Sequence, residues 1–206
     1  MPRTPVEPPG FPAVIPAPPS LDELHAVMVH CTRCDLSISR TQVVPGAGSP
    51  AARVLFVGEA PGVSEDREGV PFIGASGRLL NGMLETAGIP RDDVFIANVV
   101  RCRPPQNRSP RAVEIRACAG WLAEQIRLID PRLVVPLGRF ALQHFLTGGK
   151  ITQLQGEVQQ LDYEGRPLQL FPMLHPAAVL RSPDRRPLYE EHFRRLGGVV
   201  NAGSPQ

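Results

Sequence analysis

Residues 54–74 read VLFVGEAPGVSEDREGVPFIG. The stretch opens on Val54-Leu55-Phe56-Val57, an unbroken apolar run that predicts a buried strand ending at Gly58. Gly58-Glu59-Ala60-Pro61-Gly62 then makes a tight turn. It places a carboxylate and bare backbone amides beyond the carboxyl end of a strand, where open α/β sheets bind their ligands. An acidic loop with Glu65 and Asp66 follows, and Pro71-Phe72-Ile73-Gly74 leads into a helix. Alone, the turn fits an ordinary strand-to-helix crossing as well as it fits a binding site. The flanking sequence decides between them.

Downstream, Leu79, Leu80, Met83, Leu84 and Ala87 form one helical stripe over residues 76–87, with Gly88 as its stop. Residues 94–100 read as a second buried strand, and RCRPPQNRSP, 101–110, as a loop. A helix is expected over 111–129 and a third strand over 133–137. Gly138 starts another strand-to-helix turn, into a short helix over 140–146. Polar turns follow, with a hairpin around Glu164-Gly165. A fourth strand over 168–174 ends at His175-Pro176, and a helix over 186–196 closes the domain, fraying from Gly197. Strands alternating with helices argue for a parallel sheet covered on both faces. The carboxyl ends of such strands share one edge, so Glu59, Asn98 and His175 are expected to converge on one cleft.

Upstream, residues 1–20 are proline-rich with little to bury, and a disordered tail is expected there. Ser20 and Glu23 make a capping-box pattern for a helix over 21–29. The domain is expected over 21–200, with a second disordered tail over 201–206. A chain of 206 residues suits one domain with a sizeable core. No apolar run approaches the roughly 18 residues of a membrane span, and no signal peptide opens the chain, so a cytoplasmic location and no membrane partner are expected. The net charge is only +2, yet of 22 basic residues only Lys150 is lysine. Arginine suits bidentate phosphate contacts.

The four cysteines are Cys31, Cys34, Cys102 and Cys118. In a reducing compartment, metal binding is favoured over disulfides. The C-x2-C pair can hold one side of a metal site and the C-x15-C pair the other. Thiolates suit zinc or an iron–sulfur cluster, and spacing alone does not choose between them. Asn98 and Cys102 share one short segment, so the site would anchor the loop leaving the cleft, a structural role rather than a redox one.

Taken in order, GEAPG with the following E-D, P-F-I-G, N-V-V-R-C-R-P-P-x-N-R-x-P and H-P-x-x-x-L-R resemble the family 4 uracil-DNA glycosylases, the iron–sulfur branch of the uracil glycosylase superfamily. The resemblance runs from about Leu21 to Val200. It implies a three-layer α/β/α sandwich around a four-stranded parallel sheet. It implies a [4Fe–4S] cluster on Cys31, Cys34, Cys102 and Cys118. The reaction it implies is hydrolysis of the N-glycosidic bond of deoxyuridine in single- and double-stranded DNA, leaving an abasic site. The expected partner is uracil-containing DNA and the expected state a monomer. In the implied site, Asn98 reads uracil O4 and N3–H, Phe72 stacks on the base, and Gly58 belongs to the turn that lines it. His175 donates to uracil O2, where negative charge grows. Glu59 orients or deprotonates the attacking water and stabilises an oxocarbenium-like sugar. Glu65 is expected near uracil C5, excluding the thymine methyl.

Arg101, Arg103, Arg108 and Arg111 in the loop near Cys102, and Arg181, Arg185 and Arg186 after the H-P motif, are expected to flank the cleft and hold DNA. Leu180 or Arg181 would be the tip of a minor-groove wedge. Two departures stand out: Met173-Leu174 where Thr-Tyr is common, and Gln155-Gly156 where Arg-Gly is common. The chain lacks the basic insertion of the branch that traps DNA covalently. Lys150, its only lysine, is not near the proposed site, so a lyase step is not expected. A non-catalytic metal-stabilised nucleic-acid binder, a redox carrier, or a glycosylase for hypoxanthine or xanthine are the alternatives. The intact set Glu59, Asn98 and His175 favours the uracil enzyme.

Overall fold

The four apolar runs of the sequence lie side by side. The computed structural model describes residue 15 and residues 17–202. In it, β1 (Ala47–Gly48), β2 (Val54–Gly58), β3 (Val94–Asn98), β4 (Leu133–Pro136), β5 (Gln159–Tyr163) and β6 (Arg166–Leu170) form one sheet in the order β1-β3-β2-β4-β6-β5. The central strands β3, β2, β4 and β6 run parallel. Every residue of β2, β3 and β4 is buried, as expected for parallel strands covered on both faces.

The helices are α1 (Leu21–Met28), α2 (Leu36–Ser39), α3 (Val63–Glu68), α4 (Ala75–Thr86), α5 (Ala112–Ile129), α6 (Arg139–Phe145), α7 (Ile151–Leu154), α8 (Pro176–Arg181) and α9 (Arg186–Ala202). Strand periodicity sorts the core into two layers. Leu55 and Val57 of β2 pack with Leu24 and Met28 of α1 and with Trp121, Leu122 and Ile126 of α5. Val54 and Phe56 point the other way, toward Leu80 and Leu84 of α4 and Tyr189, Phe193 and Leu196 of α9. Phe56 stacks on Phe193 with ring centroids 6.5 Å apart, and Tyr189 meets Phe193 edge-on at 5.0 Å. Each such buried side chain contributes about 2 kcal/mol. The α/β/α sandwich follows from this alternation.

The sheet is wider than the expected four strands. β1 and β5 add antiparallel edges. β5 alternates between half-buried and exposed residues, the pattern of an edge strand. It turns into β6 through Glu164 and Gly165, at φ 54° and 80°, which matches the two-residue hairpin turn. Three further boundaries differ. Ser20 caps α1 by accepting from Glu23 N at 3.3 Å. Ahead of it, Ile15 is buried in the core and Pro18 O accepts from Arg127 Nη2 at 2.9 Å, so the packed domain begins before residue 21. The rest of the expected tails, residues 1–14, 16 and 203–206, lies outside the described residues. The acidic loop is helical over Val63–Glu68. Helix α9 runs on through Gly197 to Ala202. Among the described residues, no helix is long and apolar enough to cross a membrane.

Gly197 does not end α9 because its role is close approach. A Cβ there would stand 2.2 Å from the Ala87 carbonyl oxygen at the end of α4, whereas one at Gly198 would meet nothing within 4 Å. Gly197→Ala is therefore expected to destabilise by about 2 kcal/mol, lowering Tm by roughly 4–8 °C. Gly198→Ala is expected to stabilise by about 0.8 kcal/mol through helix propensity. Thermal unfolding of the two variants measures both signs.

Candidate active site and cysteine chamber

Sheet register brings the first groups together. Gly58 and Asn98 are partners at the carboxyl ends of β2 and β3. A Cβ at Gly58 would stand 2.4 Å from Asn98 Oδ1 and 2.6 Å from Phe72 Cζ. Glycine is what allows the amide and the ring to meet there. Asn98 is 2% exposed, and its Oδ1 is buried without a hydrogen-bond partner among the described residues. Such an orphan costs about 1–3 kcal/mol. A ligand that donates to it would recover that cost.

Phe72 is held by its backbone. Its φ of 55° is left-handed, a conformation bulky residues rarely adopt. Glu65 fixes the segment: its Oε1 accepts from Ile73 N at 3.1 Å and Gly74 N at 2.8 Å, and its Oε2 from Gly62 N at 3.1 Å. Gly77 of α4 sits so close that a Cβ would stand 1.6 Å from the Phe72 carbonyl oxygen. The Glu65 carboxylate, expected near uracil C5, is buried and accepts from three backbone donors, which fixes the Phe72 segment and the GEAPG turn. Asp66 likewise accepts from Thr41 N at 3.0 Å.

His175 follows β6, after Met173 bridges to Leu137. It opens α8, and its Nδ1 accepts from Ala177 N at 3.2 Å. That bond leaves Nε2 to carry the proton of the neutral ring. Burial pushes its pKa down to about 4, Arg181 pushes the same way, and Glu65 opposes them. The His175 and Phe72 rings lie 5.7 Å apart at 36°. Glu59 stands half-buried just past Gly58. Burial raises its pKa, while the Ser109 hydroxyl, Arg139 and Arg181 pull it back. Arg181 thus acts on both Glu59 and His175.

The structure gathers Gly58, Phe72, Asn98 and His175, with Glu59 at their edge. Ser109 and Arg139 beside Glu59 escaped the sequence reading. Arg139 follows the Gly138 turn, which was the one available signal. The expected basic flank is thinner than its sequence. Arg101 is 1% exposed and faces inward. Arg108 is bound to Glu114 at 2.5 Å, and holds that buried carboxyl below its usual range. Glu114 also accepts from Arg111 N at 2.6 Å, pinning the loop to α5. Arg186 pairs with Glu190 at 2.9 Å. Arg111, Arg181 and Arg185 remain exposed, as does Leu180 on the last turn of α8.

Cys31, Cys34, Cys102 and Cys118 line one chamber with Met28, Val43, Arg101 and Trp121. Among the described residues no three His, Cys, Asp or Glu side chains form a ready site for a single metal ion; the thiols surround a space. Their sulfurs already accept N–H donors. Trp121 Nε1 lies 3.4 Å from Cys31 Sγ, and Arg40 Nη1 3.3 Å from Cys102 Sγ. The Arg101 backbone N lies 3.3 Å from Cys118 Sγ. Burial pushes the Cys118 thiol up to about 12 and raises Cys102 and Cys34. Thiolates there need a strongly cationic partner, which a metal centre is. Four soft donors, N–H groups aimed at sulfur and a buried guanidinium fit an anionic thiolate-bound metal group.

A family model described as "Uracil DNA glycosylase superfamily" matches residues 45–196. A "Type-4 uracil-DNA glycosylase" of Archaeoglobus fulgidus is 40% identical over 191 residues, covering 90% of this chain and 96% of that protein. One of Sulfurisphaera tokodaii is 43% identical over 183 residues, covering 86% and 83%. A "Type-5 uracil-DNA glycosylase" of Thermus thermophilus is 42% identical over 118 residues, covering 50% and 53%.

Glu65→Ala is expected to cost about 3 kcal/mol, because buried backbone donors lose their acceptor. Glu65→Gln keeps one acceptor oxygen and is expected to cost less. Thermal unfolding gives the order wild type, Gln, Ala.

Proposed function

This chain belongs to the uracil DNA glycosylase superfamily, and we propose that it is a monofunctional uracil-DNA glycosylase acting from the cleft around Asn98. It hydrolyses the bond between uracil and deoxyribose in DNA and leaves an abasic site for base-excision repair. The observation that carries the site assignment is the unpartnered Oδ1 of Asn98, buried between Gly58 and Phe72. A base extruded from DNA is read by hydrogen bonds to its edge and by stacking. Uracil N3–H is the donor the Asn98 oxygen lacks, and uracil O4 accepts from the same amide. Phe72 supplies the stacking face. The missing Cβ of Gly58 keeps the floor open.

As the glycosidic bond breaks, negative charge moves onto the base. Neutral His175, with Nδ1 occupied by Ala177 N, donates its Nε2–H to uracil O2 and stabilises that charge. Glu59 orients the water and stabilises the positive sugar; Ser109, Arg139 and Arg181 favour its ionised form against the larger effect of its burial. Leu180 and Arg181, exposed at the end of α8, fill the gap left by the extruded base and hold the backbone. Flipping costs a few kcal/mol in duplex DNA, so these residues matter most there.

The cysteine chamber supports a [4Fe–4S] cluster on Cys31, Cys34, Cys102 and Cys118. When bound, the cluster supplies a crosslink, joining the segment after α1, the loop after β3, and α5. Those residues then hold the chain that leaves Asn98.

Release of free uracil from a single-stranded uracil oligonucleotide in EDTA, with strand scission only after alkali, tests the activity. No release by folded, brown protein would remove uracil as the substrate. On acidification, the first loss of activity is expected from protonation of Glu59, whose pKa is raised, with His175 titrating lower, near 4. Glu59→Gln is expected to abolish that limb and lower the rate by about 10²–10⁴-fold. His175→Asn is expected to lower the rate by about 10²–10³-fold and leave the limb in place. Rates from pH 4 to 9 check both; a limb that moves with His175 and not Glu59 contradicts the assignment. Arg181→Ala is expected to weaken duplex cleavage more than single-strand cleavage, and equal losses count against a wedge.

A further inference from the structure

One wall of the cysteine chamber carries a buried guanidinium whose side-chain hydrogen-bond partner is a neutral amide. Arg101 is 1% exposed and lines the chamber beside all four cysteines. Its Nη2 donates to Gln125 Oε1. Its Nε and Nη1 are buried and have no hydrogen-bond partner among the described residues. Gln125 is itself fully buried; its Nε2 donates to Pro45 O at 2.7 Å and lies 2.9 Å from His25 Nε2. It therefore locks the guanidinium in place without neutralising it. A guanidinium stays protonated inside proteins. Burial is the main cause that lowers the His144 and His25 imidazoles, and the Arg101 charge adds to it. A desolvated cation with idle donors persists only where something compensates it.

We propose that Arg101 is the built-in counter-ion of the cysteine chamber, a fixed positive charge offsetting the negative charge of the thiolate-bound group, with Nε–H and Nη1–H as the donors kept for it. The inference rests on the cysteines being ligands. Sequence adjacency makes the device compact. Arg101 immediately precedes Cys102, its own N–H meets Cys118 Sγ at 3.3 Å, and its carbonyl accepts from Val44 N at 2.9 Å. The side chain supplies charge, and the backbone supplies the link to α5. Arg101 lies on the cysteine chamber and is a positioning residue.

The sign of the effect follows from charge. Reduction adds an electron to the bound group, and a nearby cation favours that state. Removing the cation therefore lowers the midpoint potential. The test is potentiometric titration of the loaded protein, followed by visible absorbance and EPR, with iron and sulfide assayed on each sample. Arg101→Gln is expected to lower the reduced-to-oxidised ratio at a fixed potential by about tenfold, about 59 mV for a one-electron couple. Arg101→Lys, which keeps the charge, is expected to stay near wild type. Gln125→Glu keeps the guanidinium but neutralises it, and is expected to shift the potential the same way; it decides the matter where Arg101→Gln does not fold. Fully loaded Arg101→Gln or Gln125→Glu proteins with the wild-type potential would overturn the counter-ion. Wild-type protein that folds without iron would overturn the ligand reading itself, and the counter-ion with it.

Discussion

Gly58 and Asn98 face each other at the ends of β2 and β3, and the chemistry of the cleft depends on that pairing. Parallel register is set by burial. Val54, Phe56, Val94 and Ile96 must enter one layer, and Leu55, Val57, Phe95 and Ala97 the other. A one-residue slip would exchange the layers. With the register fixed, the Asn98 amide lies over a residue without a side chain, and the Phe72 ring fills the remaining side. Any side chain at position 58 would collide with both. The cleft is thus a gap that the core's own periodicity produces.

The walls of that gap are held by charges that do not face it. Glu65 bends the Phe72 segment onto the sheet through backbone donors. Glu114 ties Arg108 and Arg111 N to the start of α5. The cysteine chamber lies between the chain leaving Asn98 and the same helix α5. The ionic anchor constrains the loop over residues 101–111, and the cluster proposed for the chamber would join the same loop to the segment carrying Cys31 and Cys34, which is remote in sequence.

Strands β2, β3 and β4 were legible because each is a short apolar run buried on both faces, whereas the strand expected over 168–174 pairs earlier, over Arg166–Leu170, where RPLQL is only partly buried. The convergence of Glu59, Asn98 and His175 followed from strand polarity alone. What stayed hidden depends on partners distant in the chain. VSEDRE carries no apolar stripe, and α3 is fixed by Glu65 reaching Ile73 and by Asp66 reaching Thr41. The Glu164-Gly165 hairpin was expected, but that QQLDY widens the sheet beyond four strands depends on β6 offering it an edge. Arg101 sits among arginines that look like one basic surface, and only the fold separates an inward charge from outward ones. Ile15 lies within a proline-rich run, and its burial depends on Gly120 of α5 leaving room.

The central claim is that the Asn98 amide is kept unsatisfied for the base. The direct measurement is Asn98→Ala, assayed for single-turnover uracil release and for thermal unfolding on the same preparation. Because Oδ1 has no partner in the free protein, its removal is predicted to leave Tm unchanged or higher. Uracil release is predicted to fall by about 10²-fold, the order expected when a buried base-reading contact of about 3 kcal/mol is lost. A rate near wild type, or a rate loss matched by a loss of stability, would contradict the account.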